Sequence, residues 1–142
     1  MGYRWADHTA EVELEIEAAS EREVLEEALR ALAELLGIAA SGDVRRSVTA
    51  TPSGDVRRSV TVTASDRPAL LAGWIEELAF LAESEGFVAT QLLDLDLAPD
   101  RIEATVAGFL DEPPPLVKAV TYHRLAFDRS GDGYVARVIL DV

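Results

Sequence analysis

The strongest constraint on what this chain can fold into lies in residues 5–17, WADHTAEVELEIE. From position 12 to 17 apolar and acidic residues alternate without a break, the period of a strand with one face on a core. Val12, Leu14 and Ile16 fall on one face; Glu11, Glu13, Glu15 and Glu17 fall on the other. Just before the alternation, Asp7, His8 and Glu11 crowd three ionisable groups together. Polar chemistry on the lip of a strand is held by a rigid element, as a binding site requires. Glu13, Glu15 and Glu17 read as a solvated face. Glu11, at the strand entrance beside His8, stands apart from them.

Two helices follow from spacing and caps. Ser20 with Glu23 forms a capping-box pattern, and Val24, Leu25, Ala28, Leu29, Leu32, Leu35 and Leu36 recur at helical spacing, with Gly37 as the predicted stop. Asp66 reads as an N-cap with Pro68 in the first turn. Leu70, Leu71, Trp74, Ile75, Leu78 and Leu81 form the second stripe, which ends at 83–86. Both stripes read as core. Strands are predicted over 88–97 and 102–110, joined by the turn Ala98-Pro99-Asp100-Arg101. Asp94 and Asp96 alternate with leucines and read as a solvent face. Residues 111–115 contain three consecutive prolines and break the ladder. Residues 116–127 are predicted to start as a helical turn and finish as a strand. The turn at 128–133, DRSGDG, leads to a last strand over 134–142. That turn resembles the first half of a calcium loop, but the twelfth position from Asp128 is Ile139, which cannot supply the bidentate carboxylate. It reads as a hairpin turn, of type I′ or a related kind.

The elements sum to an α+β fold: one domain over residues 1–142, a two-layer sandwich with two main helices packed on a mixed or antiparallel sheet. One segment is extra. Residues 41–49 read SGDVRRSVT, and residues 53–61 repeat the same nine residues. The repeat is too short for a solenoid unit and reads as a duplicated strand with its leading turn, spanning 41–64. The first copy either pairs with the second as a hairpin or loops out. Arg45, Arg46, Arg57 and Arg58 read as edge protection by charge rather than a contact to RNA or an acidic partner, since no aromatic residues are interleaved for stacking.

Composition narrows the function. The chain carries 13 Lys plus Arg against 26 Asp plus Glu, a net of −13. Such a surface repels phosphate backbones, so direct nucleic-acid binding is not its main activity, whereas cations and basic protein surfaces suit it. With no cysteine, thiolate catalysis, disulfides and thiolate metal sites are excluded. No apolar run is long enough to cross a bilayer, and no leader is evident at the start, so the expected compartment is the cytoplasm. Nearly all basic residues are Arg; Lys118 is the single lysine, and His8 and His123 are the two histidines. No nucleophile elbow, phosphate-cradling glycine loop or histidine-rich metal pattern occurs, so no catalytic residue is assigned.

Three separated polar pieces remain: residues 7–11, the KAVTYH run at 118–123, and the closing Asp141-Val142. If Val142 is the terminus, a side-chain carboxylate, a main-chain carbonyl and the terminal carboxylate come close together there, oxygens that suit a hard divalent cation. This ordered set, with HTAEV early, Trp74-Ile75-Glu76-Glu77-Leu78 in a helix, KAVTYH and the final VILDV, resembles the archease family over nearly the whole chain. The resemblance implies a small cytoplasmic accessory protein of the RtcB-type tRNA-splicing RNA ligase. That ligase joins 3′-phosphate or cyclic-phosphate RNA ends to 5′-hydroxyls with GTP and manganese. The accessory protein promotes guanylylation and multiple turnover and is not itself an enzyme. The resemblance also implies a site for a divalent metal, calcium first, with manganese or magnesium as alternatives, held by Glu11, Asp141 and Val142. Where the family usually has Asp this chain has Glu11, one methylene longer, and Asp7 stands as the substitute ligand. His8, Lys118 and His123 are assigned to support: His8 caps the strand entrance, His123 sits half-buried beside Tyr122, and Lys118 either pairs with the acidic lip or touches the partner. The competing readings are a general chaperone-like interaction module and a metal-dependent hydrolase.

Overall fold

The alternating segment forms the strand β2, Glu11–Ala18, and its apolar face is buried, with Leu14 and Ile16 each 1% exposed. The computed structural model describes residues 2–8, 11–41, 56–111 and 117–141, with the backbone alone at 5–8 and 38–41. The described elements run β1 (Gly2–His8), β2, α1 (Glu21–Ser41), β3 (Val56–Thr63), α2 (Arg67–Glu85), β4 (Phe87–Ala98), β5 (Arg101–Leu110), β6 (Ala119–Ser130) and β7 (Gly133–Asp141).

The strands form two sheets, one ordered β1-β2-β7-β6 and the other β3-β5-β4, and every pairing is antiparallel. Helix α1 packs on β2 of the first sheet and β4 of the second, and α2 packs on β6 of the first and on β3 and β4 of the second. Two helices thereby cover both sheets, and one apolar cluster draws on all of them. Trp74 lies fully buried at its centre, and its indole N–H donates to the Leu25 carbonyl at 3.0 Å, tying α2 to α1. Buried side chains of this size each contribute about 2–3 kcal/mol by leaving water.

Local signals act where expected. Ser20 Oγ accepts from the Glu23 N–H at 3.1 Å, and the Glu23 carboxylate reaches back to the Ala19 N–H at 3.4 Å. Asp66 accepts from the Ala69 N–H at 2.9 Å, and Gly86 closes α2 with φ 68°, a left-handed value that suits glycine. Gly37 does not stop α1, which runs on to Ser41; its φ is not left-handed, so no C-cap forms there. Lys118 has no helical turn around it and leads directly into β6. The closing hairpin pairs Ser130 with Gly133. Only Gly131 of its two loop residues has positive φ, at 60°, the sign pattern of a type II′ turn rather than type I′. The second repeat copy supplies β3, while the first copy and the predicted hairpin lie outside the described residues, as do residues 112–116 of the proline break.

Two glycines should respond oppositely to alanine. A Cβ on Gly108 would sit 1.9 Å from the Val88 carbonyl oxygen, inside the β4–β5 pairing. On Gly37 it would meet nothing within 4 Å. Gly108→Ala is expected to destabilise by more than about 2 kcal/mol through overpacking, and Gly37→Ala to stabilise by up to about 1 kcal/mol through helix propensity. Denaturant unfolding of the two variants checks both signs.

Candidate functional site

Strand register assembles the three polar pieces. His8 pairs with Glu11 across β1–β2, Glu11 pairs with Asp141 across β2–β7, and Asp141 pairs with Ala119 across β7–β6. One row thus crosses the whole sheet at the end where β2 begins and β7 closes. The Lys118 N–H donates to the Asp141 carbonyl at 2.7 Å, fastening the start of KAVTYH to the same row. Glu11 and Asp141 are half-buried, while Lys118, Tyr122 and His123 are exposed. His123 is therefore not the half-buried group expected from its neighbour. Its strand leaves the ladder here, so the side chain meets solvent.

Directly opposed residues in an antiparallel pair have Cβ atoms about 5 Å apart, and like charges so placed are destabilising. Glu11 and Asp141 are two carboxylates in that relation, a donor set of hard oxygens whose repulsion a cation would relieve. Among the described residues, no three His, Asp or Glu side chains gather as a complete metal site. Of the other predicted ligands, Val142 lies outside the described residues. Asp7 is placed by its backbone opposite Val12 rather than opposite Glu11, and its side chain and that of His8 are not among those described.

The next row, two residues along, runs Ala6, Glu13, Ile139, Thr121. Here the solvated-face expectation fails. Glu13 is 3% exposed and Ile139 is 2% exposed, although both lie on the face turned from the helices. Arg124 Nη1 lies 3.5 Å from one Glu13 oxygen and Arg137 Nε lies 3.4 Å from the other. The two guanidinium groups cover the carboxylate and supply the charge its burial demands. Arg124 holds φ at 60°, the single positive-φ non-glycine among the described residues. It sits where β6 loses register: pairing jumps from Thr121–Ile139 to Ala126–Arg137, so residues 122–125 face Val138 alone. Thr121 Oγ1 is buried beside this bulge with no hydrogen-bond partner among the described residues.

Further along, Glu15 accepts from Arg4 and pairs in register with Arg137. The hydrogen bond from Arg4 is the largest cause holding the Glu15 carboxyl below the usual carboxylate range. Glu17 remains exposed, as expected. The sequence reading missed Glu13, Arg124 and Arg137 as a group. Alternation gives Glu13 and Glu17 the same face and cannot distinguish a covered position from an open one.

Two measurements follow. Because Glu15 has a depressed pKa when folded, its pairing with Arg4 stabilises above the unfolded value of about 4.3 and is lost as pH falls through the folded value. Arg4→Gln should flatten that acidic limb of a stability–pH curve by slightly lowering stability at pH 7, as suits an exposed pair, while leaving stability below the limb unchanged. In chelator, Glu11→Gln should leave the melting temperature unchanged or raise it by up to about 1 kcal/mol equivalent, through relief of the facing charges.

Residues 3–142 match the model of the archease protein family. A protein archease of Pyrobaculum neutrophilum is 28% identical, with 99% of this chain and 95% of that protein covered. One from Methanosarcina acetivorans is 30% identical over the same shares, 99% and 95%. Among solved structures, the solution structure of Methanobacterium thermoautotrophicum protein 1598 matches with a TM-score of 0.70 at 26% identity, covering 99% of each chain. A Thermotoga maritima crystal structure, described as an archease and possible chaperone, shares the fold with a TM-score of 0.56 at 20% identity, covering 96% of this chain and 94% of its own.

Proposed function

The chain belongs to the archease family, and we propose that it acts as an accessory protein of the RtcB-type tRNA-splicing RNA ligase, raising the ligase's guanylylation and turnover without performing ligation itself. The observation that carries this reading is the row His8–Glu11–Asp141–Ala119. It joins HTAEV, KAVTYH and the closing ILDV, the three pieces on which the resemblance rests, into one rim. The charge balance agrees: a chain of net −13 is drawn to a cationic protein cleft and repelled by free RNA.

The rim holds a divalent cation, calcium in the first instance, with Glu11 and Asp141 as its carboxylate ligands. Calcium takes six to eight oxygens, so main-chain carbonyls, water, Val142 or Asp7 complete the set. When bound, the ion supplies positive charge at an otherwise acidic rim and attracts oxyanions. The chain's own residues do the rest. Glu11 and Asp141 are held in register by the β2–β7 ladder, and the Asp141 main chain is fixed by the Lys118 N–H.

Ligation of RNA ends by the purified ligase, with RNA in large excess, tests the proposal. Wild-type protein should raise product per ligase well above one equivalent. Glu11→Gln and Asp141→Asn should each lower that stimulation about tenfold or more while remaining folded, the scale of losing support at a metal site. Calcium should raise the melting temperature of the wild type, by the equivalent of about 2.7 kcal/mol at a hundredfold excess over its Kd, and leave both variants unmoved. Unchanged turnover with wild-type protein would refute the accessory role.

A further inference from the structure

Glu13 is a carboxylate at 3% exposure on the sheet face the helices do not cover, one pleat from the Glu11–Asp141 row. An apolar residue in that row would pack on Ile139, itself 2% exposed, without the cost of desolvating a charge. What Glu13 does hold is Arg124, at 3.5 Å. Arg124 has the backbone geometry that makes the bulge, with φ 60°, a region that costs a non-glycine residue roughly 1 kcal/mol or more and persists only where the surroundings impose it. Arg137 closes the other side of Glu13 at 3.4 Å, so the carboxylate ties β7 to the bulge of β6 across the sheet.

The bulge places two side chains in solvent at the rim. Tyr122 is 60% exposed and His123 is exposed beside it. A large exposed aromatic with a polar tip is an unusual investment on a free surface and a common anchor in a protein interface. Tyr122 follows Thr121 directly, and Thr121 is two residues from Ala119, which pairs with Asp141. The anchor thus lies on the edge strand β6, beside the strand β7 that carries Asp141.

We infer that Glu13 is a positioning residue: through Arg124 it fixes the β6 bulge so that Tyr122 and His123 meet the surface of the partner protein alongside the Glu11–Asp141 rim. This rests on the accessory role proposed above and names the element by which the partner is gripped. The partner surface it fits is protein, with cationic groups facing the carboxylates and an apolar recess taking the Tyr122 ring. Glu13 touches no partner atom itself; it sets where Tyr122 stands.

The test titrates each variant into the ligase and reads two quantities, the concentration giving half-maximal stimulation and the stimulation at saturation. Tyr122→Ala, at an exposed position, should raise the half-maximal concentration about tenfold, the scale of an interface anchor, with the melting temperature unchanged. Glu13→Gln should raise it by a similar factor with saturating stimulation retained, and the Glu13→Gln/Tyr122→Ala pair should be no worse than Tyr122→Ala alone. Arg124→Gly, which keeps the positive φ without strain, should reproduce Glu13→Gln and serves in its place if that variant does not fold. Hydrogen exchange of the 121–126 amides should quicken in Glu13→Gln and Arg124→Gly but not in Tyr122→Ala. If wild-type protein stimulates the ligase while Tyr122→Ala and Arg124→Gly titrate like it, or if the paired variant shows the product of the single effects, the positioning role is overturned and the accessory role stands. Wild-type protein without effect on the ligase would overturn both.

Discussion

The antiparallel pairing of β2 with β7 is the constraint from which the candidate site follows. Its register sets Leu14 opposite Val138 and Ile16 opposite Ala136, all buried at 4% exposure or less. A slip by one residue would turn the glutamates of β2 into the core and the apolar set to solvent. Burial therefore excludes odd slips, and the observed register puts Glu11 opposite Asp141 at the end of the ladder. The two carboxylates meet because the packing of the apolar face holds the strands in this alignment. No attraction between them is involved, and their mutual repulsion is carried by the packing several residues away.

Arginine manages the remaining acid locally. Arg67 bridges α2 to Glu21 of α1 at 2.6 Å and donates to the Ala98 carbonyl. Arg58 of the edge strand β3 pairs with Glu85 at 2.7 Å and lies over the Phe87 ring. Arg4 serves Glu15, and Arg124 with Arg137 serves Glu13. Planar guanidinium groups suit such forked contacts. The β2 glutamates thus divide by environment: one is buried under two arginines, one is paired at the surface, one is exposed, and Glu11 faces another carboxylate.

What was legible in the sequence was local. Alternation identified β2, capping side chains located the starts of both helices, and the motif pieces with their family resemblance pointed to the rim, because each of these depends on residues within a turn or a strand of one another. What was not legible depends on distant partners. Gly37 has the composition of a stop, but a stop needs left-handed φ, which Gly37 does not adopt. The division of the seven described strands into two sheets depends on pairings between segments far apart in sequence. Arg124 carries no mark of its conformation, since positive φ is usually the province of Gly, Asn and Asp. Only the register, with Glu13 two residues along from the rim and opposite Ile139, makes the bulge intelligible.

The duplicated segment tests how far such reasoning reaches, because nine identical residues offer the same propensities twice. What distinguishes the copies lies just after them. The second continues Val62-Thr63-Ala64 where the first has Ala50-Thr51-Pro52. Val62 is 6% exposed, and it fills the space at Gly73, where a Cβ would come within 2.5 Å of its Cγ1. Alanine in that place would leave part of the space empty, at a cost of about 1–2 kcal/mol. The Ala64 N–H donates to the Asp100 carbonyl at 3.0 Å, joining the end of β3 to the β4–β5 turn. Proline has no N–H to give, and losing that bond costs about 1 kcal/mol. Both differences favour the second copy as the partner of β5. The strand is chosen by two residues outside the identical repeat, through a glycine on the helix beneath and a carbonyl in a distant turn.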